Sequence, residues 1–504
     1  MKALLINPSY VLSRAWAPWL PYEPIALEYL AAVAADGHQV RILDCVAEFP
    51  HQYQRLPNGK VRVGASPEQI KDVIASYRPD IVGITIPFFT QMRPACSIAR
   101  LTKEVDRDIV TVIGGIYACA EPERLLLENP SLDIVAVGEG ELTFKELLDR
   151  GATGLDQIKG IFYRKGESIV RNEPRGLIDN IDEIPFPRRD LVPFQNYASL
   201  TYTGTLQSRL KMLLIRLKFH GDWKQLRARM RHKTTSLKPA SPIERSPVRR
   251  ACIITSRGCP FNCTFCLPRK VYGGQYRMRS SQNVLDEMEV LAKEYGAGGL
   301  VNINISDENF NISKQRLIEI CKGVIERELN LIFASQMYLM PWLDFETFSL
   351  MKKAGFNRVY FGIENASQEI VEKVLNKKIN LDIAEEVIES CKKAGIIPGA
   401  YLMTGVPGET IETMENTIEF ALNSGLELVN LLSFQPVPGT KLYDDCVKNG
   451  WLVDGYDPSE AFDPANSRSY VKTPDFSPED VYNITERGKK LLREAGKLDQ
   501  PIVR

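Results

Sequence analysis

The chain has 504 residues, 44% of them hydrophobic and 25% charged, and its 63 basic and 63 acidic side chains cancel. That length allows two to four domains with large cores, in an ordinary globular composition whose net charge argues for no particular partner. No apolar run reaches the ~18–20 residues that a membrane span needs. The ten cysteines show no disulfide-like framework and the first residues carry no signal peptide, so a reducing, cytoplasmic setting is expected.

Residues 3–137 alternate between strand and helix patterns. Leu4-Leu5-Ile6 is a short apolar run stopped by Asn7-Pro8. Ile25 to Ala35 has helical spacing, and Gly37 stands where a helix C-cap would be. Strands are read at Val40–Leu43, Ile81–Ile86, Ile109–Ile113 and Ile134–Val137, and helices at Ile70–Tyr77, Pro94–Val105 and Pro122–Leu127. Five apolar strands separated by helices predict a doubly wound parallel sheet. Such sheets bind ligands beyond the carboxyl ends of their strands. The loops of interest are therefore Asn7–Trp19, Thr85–Gln91, Gly114–Glu121 and Gly138–Glu141.

Residues 151–200 read as a connector. Between 205 and 250 there are thirteen Lys and Arg and two acids, Asp222 and Glu244. The first half of that segment mixes apolar and cationic residues at roughly helical spacing, and the second half is rich in Ser, Pro and Lys. Three readings are open: a solvated insertion, a membrane-surface helix over 205–235, and nucleic-acid binding. The last lacks the interleaved aromatics that single-strand binders stack on bases, so no nucleic acid is expected.

From Ala251 the alternation resumes, with strands at 251–255, 299–305, 331–335, 358–363, 397–403 and 429–434. Helices fall between them, among them Ser281–Tyr295 and Ile383–Ala394. Six such units fit a partial (β/α)6 barrel of the TIM type. Pro478–Ala495 reads as a terminal helix. The divisions are thus 1–150, a connector with a basic insertion at 151–250, a barrel at 251–445 and an extension at 446–504.

The first barrel strand leads into Cys259, Cys263 and Cys266, a C-x3-C-x2-C run. Thiolates suit iron–sulfur clusters and zinc. A closed structural site has four protein ligands, whereas this loop offers three and no His. In a cubane cluster that leaves one iron free for a substrate or cofactor. A zinc site that borrows Cys252 or a distant Cys is the alternative.

With Arg-Gly before it and Phe265 before the last Cys, the run resembles the radical S-adenosylmethionine (SAM) superfamily. The resemblance implies a 4Fe–4S cluster on Cys259, Cys263 and Cys266. It extends to Ser306-Asp307-Glu308-Asn309-Phe310, which is similar to an acidic motif that holds the SAM amino group through Asp307 and Glu308. Gly362-Ile363-Glu364-Asn365 resembles the ribose-binding element. Thr404-Gly405 opens a loop similar to the one that meets adenine, and Val437 lies in a motif like that after the sixth strand. The resemblance adds Phe265 to the SAM contacts, and Arg279 as a cation able to meet a carboxylate. Many relatives place an Arg near Gln336-Met337-Tyr338, and none is present here.

The N-terminal sheet resembles the cobalamin-binding domain that precedes this barrel in one radical SAM class. That implies cobalamin contacts from Pro8, Ser9, Tyr10, Thr85, Phe88, Gly114, Gly115, Val137, Gly138, Glu139 and Gly140. The loop Asn7-Pro-Ser-Tyr-Val-Leu-Ser carries no His, so imidazole ligation of cobalt is not expected. His38 reads as a surface or capping residue, and the lower face of cobalt is left to water or to a side chain from Thr85–Gln91. A cobalamin-free docking module is the alternative for this domain.

Together these resemblances imply a cobalamin-dependent radical SAM C-methyltransferase. It would cleave SAM to a 5′-deoxyadenosyl radical, act on a small-molecule or lipid-like substrate, and take electrons from an external one-electron donor such as a flavodoxin or ferredoxin. The alternatives are an anaerobic oxidative cyclase or ring-rearranging enzyme and, in another class, a non-enzymatic cobalamin sensor. Peripheral membrane contact through 205–235 would refine the cytoplasmic setting.

Overall fold

Seven strands make the first sheet of the structure, a computed structural model that describes residues 1–12, 23–50, 52–199, 249–295, 300–461 and 467–499. Strands β1 (Lys2–Asn7), β3 (Gln39–Asp44), β6 (Ile81–Thr85), β7 (Val110–Gly114) and β8 (Ile134–Ala136) run parallel in the order β3-β1-β6-β7-β8. These are the five strands expected from the apolar runs. Successive side chains of β1 go to opposite faces. Ala3 and Leu5 join a core with Leu27 and Phe144, and Leu4 and Ile6 join one with Ile70, Ile74 and Ile98. Each face is therefore covered by helices, which is the doubly wound arrangement.

Two departures concern stretches read as loop or connector. Strands β9 (Ile161–Lys165) and β10 (Ser168–Arg171) extend the first sheet antiparallel beyond β8. Strands β2 (Tyr10–Leu12), β4 (Tyr53–Arg55) and β5 (Val61–Val63) form a small antiparallel sheet beside it. The signal for both was weak because each strand is only three to five residues long. The basic segment up to residue 248 and loop residues 13–19 lie outside the described residues.

The second large sheet is all parallel, in the order β11 (Arg249–Ile253), β14 (Val301–Ile305), β15 (Leu331–Met337), β16 (Phe356–Glu364), β17 (Ile397–Thr404) and β18 (Leu428–Ser433). Each strand pairs with the next in sequence, so the sheet curls into an open half-barrel. Side chains start several of its helices: Ser313 accepts from Arg316 N, Asp344 from Thr347 N and Thr410 from Thr413 N, satisfying otherwise orphan amides. The terminal helix Pro478–Glu494 leads to a segment that covers the open edge, with Val429 donating to Lys497 O (2.8 Å) and Asp499 donating to Val429 O (2.8 Å). Covering an edge removes unpaired backbone groups. The short pair β12 (Ser256–Arg257) and β13 (Arg277–Met278) brackets the cysteine loop.

The two sheets are joined by a buried charge network. Glu23 accepts from Arg189 Nε (2.5 Å) and from the Cys252 amide of β11 (2.5 Å). Arg189 also pairs with Glu287 (2.8 Å), which in turn pairs with Arg279. Glu28, on the helix Ile25–Ala34, is fully buried beside them, and neither of its carboxylate oxygens has a hydrogen-bond partner. Burial, and then the charge of Glu23, push its pKa well above the usual carboxylate value. An acid whose pKa is raised by folding stabilises fully only below its unfolded pKa, about 4.3, and that contribution is lost as pH rises through the folded pKa.

Glu28→Gln is therefore expected to match the parent in stability near pH 4.5 and to exceed it at pH 8 by more than about 1.4 kcal/mol, the equivalent of one pKa unit. Glu23→Gln is expected to cost about 3–5 kcal/mol at both pH values because it leaves Arg189 short of a buried partner. Chemical denaturation at the two pH values measures both, and a pH-independent Glu28→Gln effect contradicts the assignment.

Candidate active site at the facing sheet edges

The cysteine loop begins with a clasp. Thr255, at the end of β11, donates to Asp307 through its amide (2.6 Å) and its hydroxyl (2.5 Å), and Ser256 Oγ adds a third bond (2.6 Å). Gly258 follows with φ +82°, and a Cβ there would lie 2.1 Å from Gln275 O. Only glycine fits both the left-handed backbone and that contact, which explains the Arg-Gly before the first cysteine. The middle of the loop hangs on Thr264. Its amide donates to Leu375 O (3.0 Å), its hydroxyl to Val374 O (2.8 Å), and its carbonyl accepts from Leu442 N (2.9 Å). Phe261 stacks on Tyr338 at 3.9 Å with the rings 10° apart.

Desolvation by the surrounding protein pushes the thiols of Cys259, Cys263 and Cys266 up, to about 11 for Cys263 and about 12 for Cys266, although Cys266 keeps one side open to solvent. Asn309 Nδ2 donates to Cys259 Sγ at 3.1 Å. No group of three or more His, Cys, Asp or Glu side chains is close enough to hold one metal ion among the described residues. Cys252 does not join the three thiols: it is buried with Ile25, Tyr29 and Ile184. This donor set fits a multinuclear iron–sulfur cluster with three thiolate ligands.

Two carboxylates face the cysteines. Glu308 is held up to about 7 by burial, with Asp307 adding to the shift, and its charge acts on Cys259. Glu364, at the end of β16, has φ +70°. A non-glycine residue there carries strain of order 1–3 kcal/mol. Its Oε1 accepts from Lys377 Nζ at 2.8 Å. Burial opposes the Lys377 charge, but Glu364 and then Cys263 hold its pKa above the usual value. Lys377 Nζ also lies 5.5 Å from the centre of the Tyr338 ring. A cation therefore reaches the place where the third strand lacks the expected arginine, but it comes from the turn after β16. Gly362 leaves room for this pair, since a Cβ there would lie 2.6 Å from Lys377 Nζ.

Other anticipated SAM contacts are placed differently. The Asp307 carboxylate is taken up by Thr255 and Ser256, so it fastens the loop and does not face the cysteines. Arg279 is committed to Asn283, Ile254 O and Glu287 within the buried network. Thr404 Oγ1 bonds Thr485 Oγ1 (2.7 Å), and a Cβ on Gly405 would meet Val481 at 2.6 Å, so both back onto the terminal helix. Phe265 packs partly buried at the loop, and Val437 lies against Phe89, Ala120 and Leu267.

That last cluster spans the two sheets. Lys270 donates to Ala120 O (2.6 Å). Glu139 pairs with Arg257 (3.1 Å) and Arg277 (2.8 Å), and Glu141 with Arg257 (2.5 Å). The carboxyl edge of the first sheet thus sits directly against the cysteine loop.

On that edge Gly115 has φ +106°, and a Cβ would lie 3.1 Å from Ile86 O. Gly138 has φ +89° with open space beside it. Phe88 is exposed and Thr85 nearly buried. Gly114 ends β7, Val137 donates to Gly160 O (2.8 Å), and Gly140 starts a helix. This glycine-lined edge fits a planar macrocycle approaching backbone closely. Of the other expected cobalamin contacts, Pro8 accepts from Gln91 (2.9 Å). Ser9 is turned inward onto Ala65 O (2.9 Å), and Tyr10 is buried in the small sheet. Glu139 is spent on the two arginines. His38 pairs with Asp149 (2.8 Å) at the opposite, amino end of the strands, so it cannot reach this edge.

Comparison with known proteins accords with this geometry. Residues 253–421 match the radical SAM superfamily model and residues 20–148 the B12 binding domain model. An uncharacterized methyltransferase of Pyrococcus horikoshii is 29% identical over 90% of this chain and 84% of its own. The cytidylyl-2-hydroxyethylphosphonate methyltransferase of Streptomyces wedmorensis is also 29% identical, over 91% and 83%. The fold matches the radical SAM methyltransferase TsrM of Kitasatospora setae, solved with tryptophan and a SAM analogue, with a TM-score of 0.70 at 19% identity over 100% of this chain and 92% of that one.

Lys377 and Asn309 were not assigned from sequence. Asn309 lay within a motif already singled out, but Lys377 stands thirteen residues beyond Glu364 with nothing in the spacing to mark it. Hydrogen bonds to cluster sulfurs raise reduction potential. Asn309→Leu is expected to keep the iron content and shift the cluster potential to more negative values, read by redox titration followed by electron paramagnetic resonance. An unchanged potential shows that the Asn309 contact plays no part.

Proposed function

We propose that this chain, which belongs to the cobalamin-binding class of radical SAM proteins, methylates an unactivated carbon of a small molecule. It is a radical SAM enzyme of the methyltransferase type. The observation that carries the proposal is the direct apposition of the glycine-lined sheet edge and the cysteine loop through Glu139, Glu141, Arg257 and Arg277.

When bound, the cluster and SAM supply a 5′-deoxyadenosyl radical, and cobalamin supplies the methyl group. Cys259, Cys263 and Cys266 hold the cluster. Glu308 offers a carboxylate to the SAM amino group as a charge-assisted partner, and Glu364, aimed by its strained backbone and by Lys377, accepts from the ribose hydroxyls. Gly114, Gly115 and Gly138 let backbone approach the corrin. The hydrophobic seam of Phe89, Ala120, Leu267 and Val437 excludes water where the two edges meet. A cyclase or rearrangement reading uses the same parts without methyl transfer.

Anaerobic incubation of the holoenzyme with cell extract and methyl-labelled SAM is expected to place label on a product, found by mass spectrometry of lipid and polar fractions. SAM cleavage without label transfer would favour the cyclase reading. Glu364→Gln is expected to weaken SAM binding about five- to thirtyfold, the effect of losing ~1–2 kcal/mol of hydrogen bonding to a charged group.

The substrate is proposed to be hydrophobic or lipid-like, on the strength of the cationic, apolar-faced sequence at 205–235. No helix is long and apolar enough to cross a membrane among the described residues; the attachment proposed is peripheral, at ~1 kcal/mol per engaged Lys or Arg. The full chain is expected to co-sediment with anionic liposomes at moderate salt more than a chain lacking 205–235. Equal sedimentation would leave the segment as a solvated insertion.

A further inference from the structure

The cysteine loop has a second, outer face. A cleft of about 710 Å³ opens there, and its walls include Cys263, Cys266, Arg269, Lys270, Lys373 and Lys441. Neither Glu308 nor Glu364 lines it, and neither do the glycines of the first sheet. It is thus separate from the mouth where SAM and cobalamin are assigned. Cys266 is exposed at its base. The single carboxylate in its walls is Asp445, which pairs with Lys441 (2.5 Å). Lys373 pairs with Glu369 (2.9 Å) outside the cleft. Arg269 and Lys270 are exposed and have no carboxylate partner among the described residues. The rim therefore carries excess positive charge around an opening that leads to two cluster ligands.

We propose that this rim is the docking surface for an acidic one-electron carrier protein. The inference rests on the functional reading above, in which reductive cleavage of SAM needs one electron from outside the chain. The carrier's reduced centre loses that electron and the cluster gains it, and no atom is transferred. Cationic rims of this kind steer anionic partners, and they raise association rates by about 10–10³ at low ionic strength. The path is short because Cys263 and Cys266 are both cluster ligands and cleft walls. Lys270 also ties the loop to Ala120, so the rim cations that do not hold the cysteine loop are Arg269, Lys373 and Lys441, of which the last two are paired only with carboxylates four residues along the chain.

The test uses cluster-loaded, cobalamin-loaded full chain with a purified flavodoxin in its hydroquinone form as the probe. The triple variant Arg269→Glu, Lys373→Glu, Lys441→Glu is expected to slow flavodoxin association about tenfold at low salt and to flatten its salt dependence. Flavodoxin-driven cluster reduction, followed by electron paramagnetic resonance, should fall with it. Cleavage of SAM driven by dithionite, which needs no docking, should stay at the parental rate. Parental association and reduction rates in the triple variant overturn the proposal. Absence of dithionite-driven cleavage in the parent holoenzyme would instead refute the functional reading. If the reversals lower iron content, Lys373→Gln with Lys441→Gln decides the matter: about threefold slower association supports the proposal, and parental association overturns it.

Discussion

Everything at the candidate site depends on four buried or nearly buried charges at the seam between the two sheets. Glu139 comes from the turn after β8 and Glu141 from the first turn of the helix Gly140–Asp149 that follows it, and Arg257 and Arg277 from the two short strands that bracket the cysteine loop. Despite burial, Arg277 and then the Ile178 amide hold Glu139 below its usual pKa, so Glu139 is ionised against its two arginines at neutral pH. Desolvated ion pairs contribute little net stability against an apolar alternative, yet losing one partner costs about 3–5 kcal/mol. They are better understood as fixing register: two sheets with their own cores can slide over an apolar seam, but not over bidentate charges.

A second lock, away from the chemistry, has the same character. Glu23 reaches from the first sheet's entry loop to Arg189 and to the amide of β11, and Arg189 passes the contact to Glu287 and Arg279. One carboxylate too many is present, and Glu28, without any donor, is where that excess resides. The first lock sets how the edges face, and the second sets how far apart the domains stand.

Within the half-barrel, unusual backbone and close approaches occur where ligands are expected. Glu364 takes a left-handed backbone, Gly258 sits against Gln275 O, and Gly362 leaves room for the Glu364–Lys377 pair. The acidic motif after β14 divides its labour: Asp307 is consumed in fastening Thr255 and Ser256, which leaves Glu308 facing the cysteines and Asn309 on Cys259. A motif of adjacent acids thus contains one structural and one ligand-facing carboxylate, because neighbours at a strand end point in opposite directions.

The sequence alone determined the local and periodic features. Short, mostly apolar runs marked the parallel strands of both sheets, since a strand covered on both faces is apolar along its length. Cysteine spacing, Arg-Gly and strand-end glycines marked the cluster loop and the ligand edge, because close backbone approach and left-handed turns admit few residue types. The tertiary structure alone decided which partner each charge takes. Arg279 reads as a ligand-facing cation until Glu287 and Asn283 are seen to hold it, Glu139 reads as a cobalamin contact until Arg257 and Arg277 claim it, and Lys377 goes unmarked until Glu364 and Tyr338 enclose it. A side chain's partner across more than a hundred residues, or across a barrel mouth, is set by the packing of whole sheets, and no pattern along the chain encodes it.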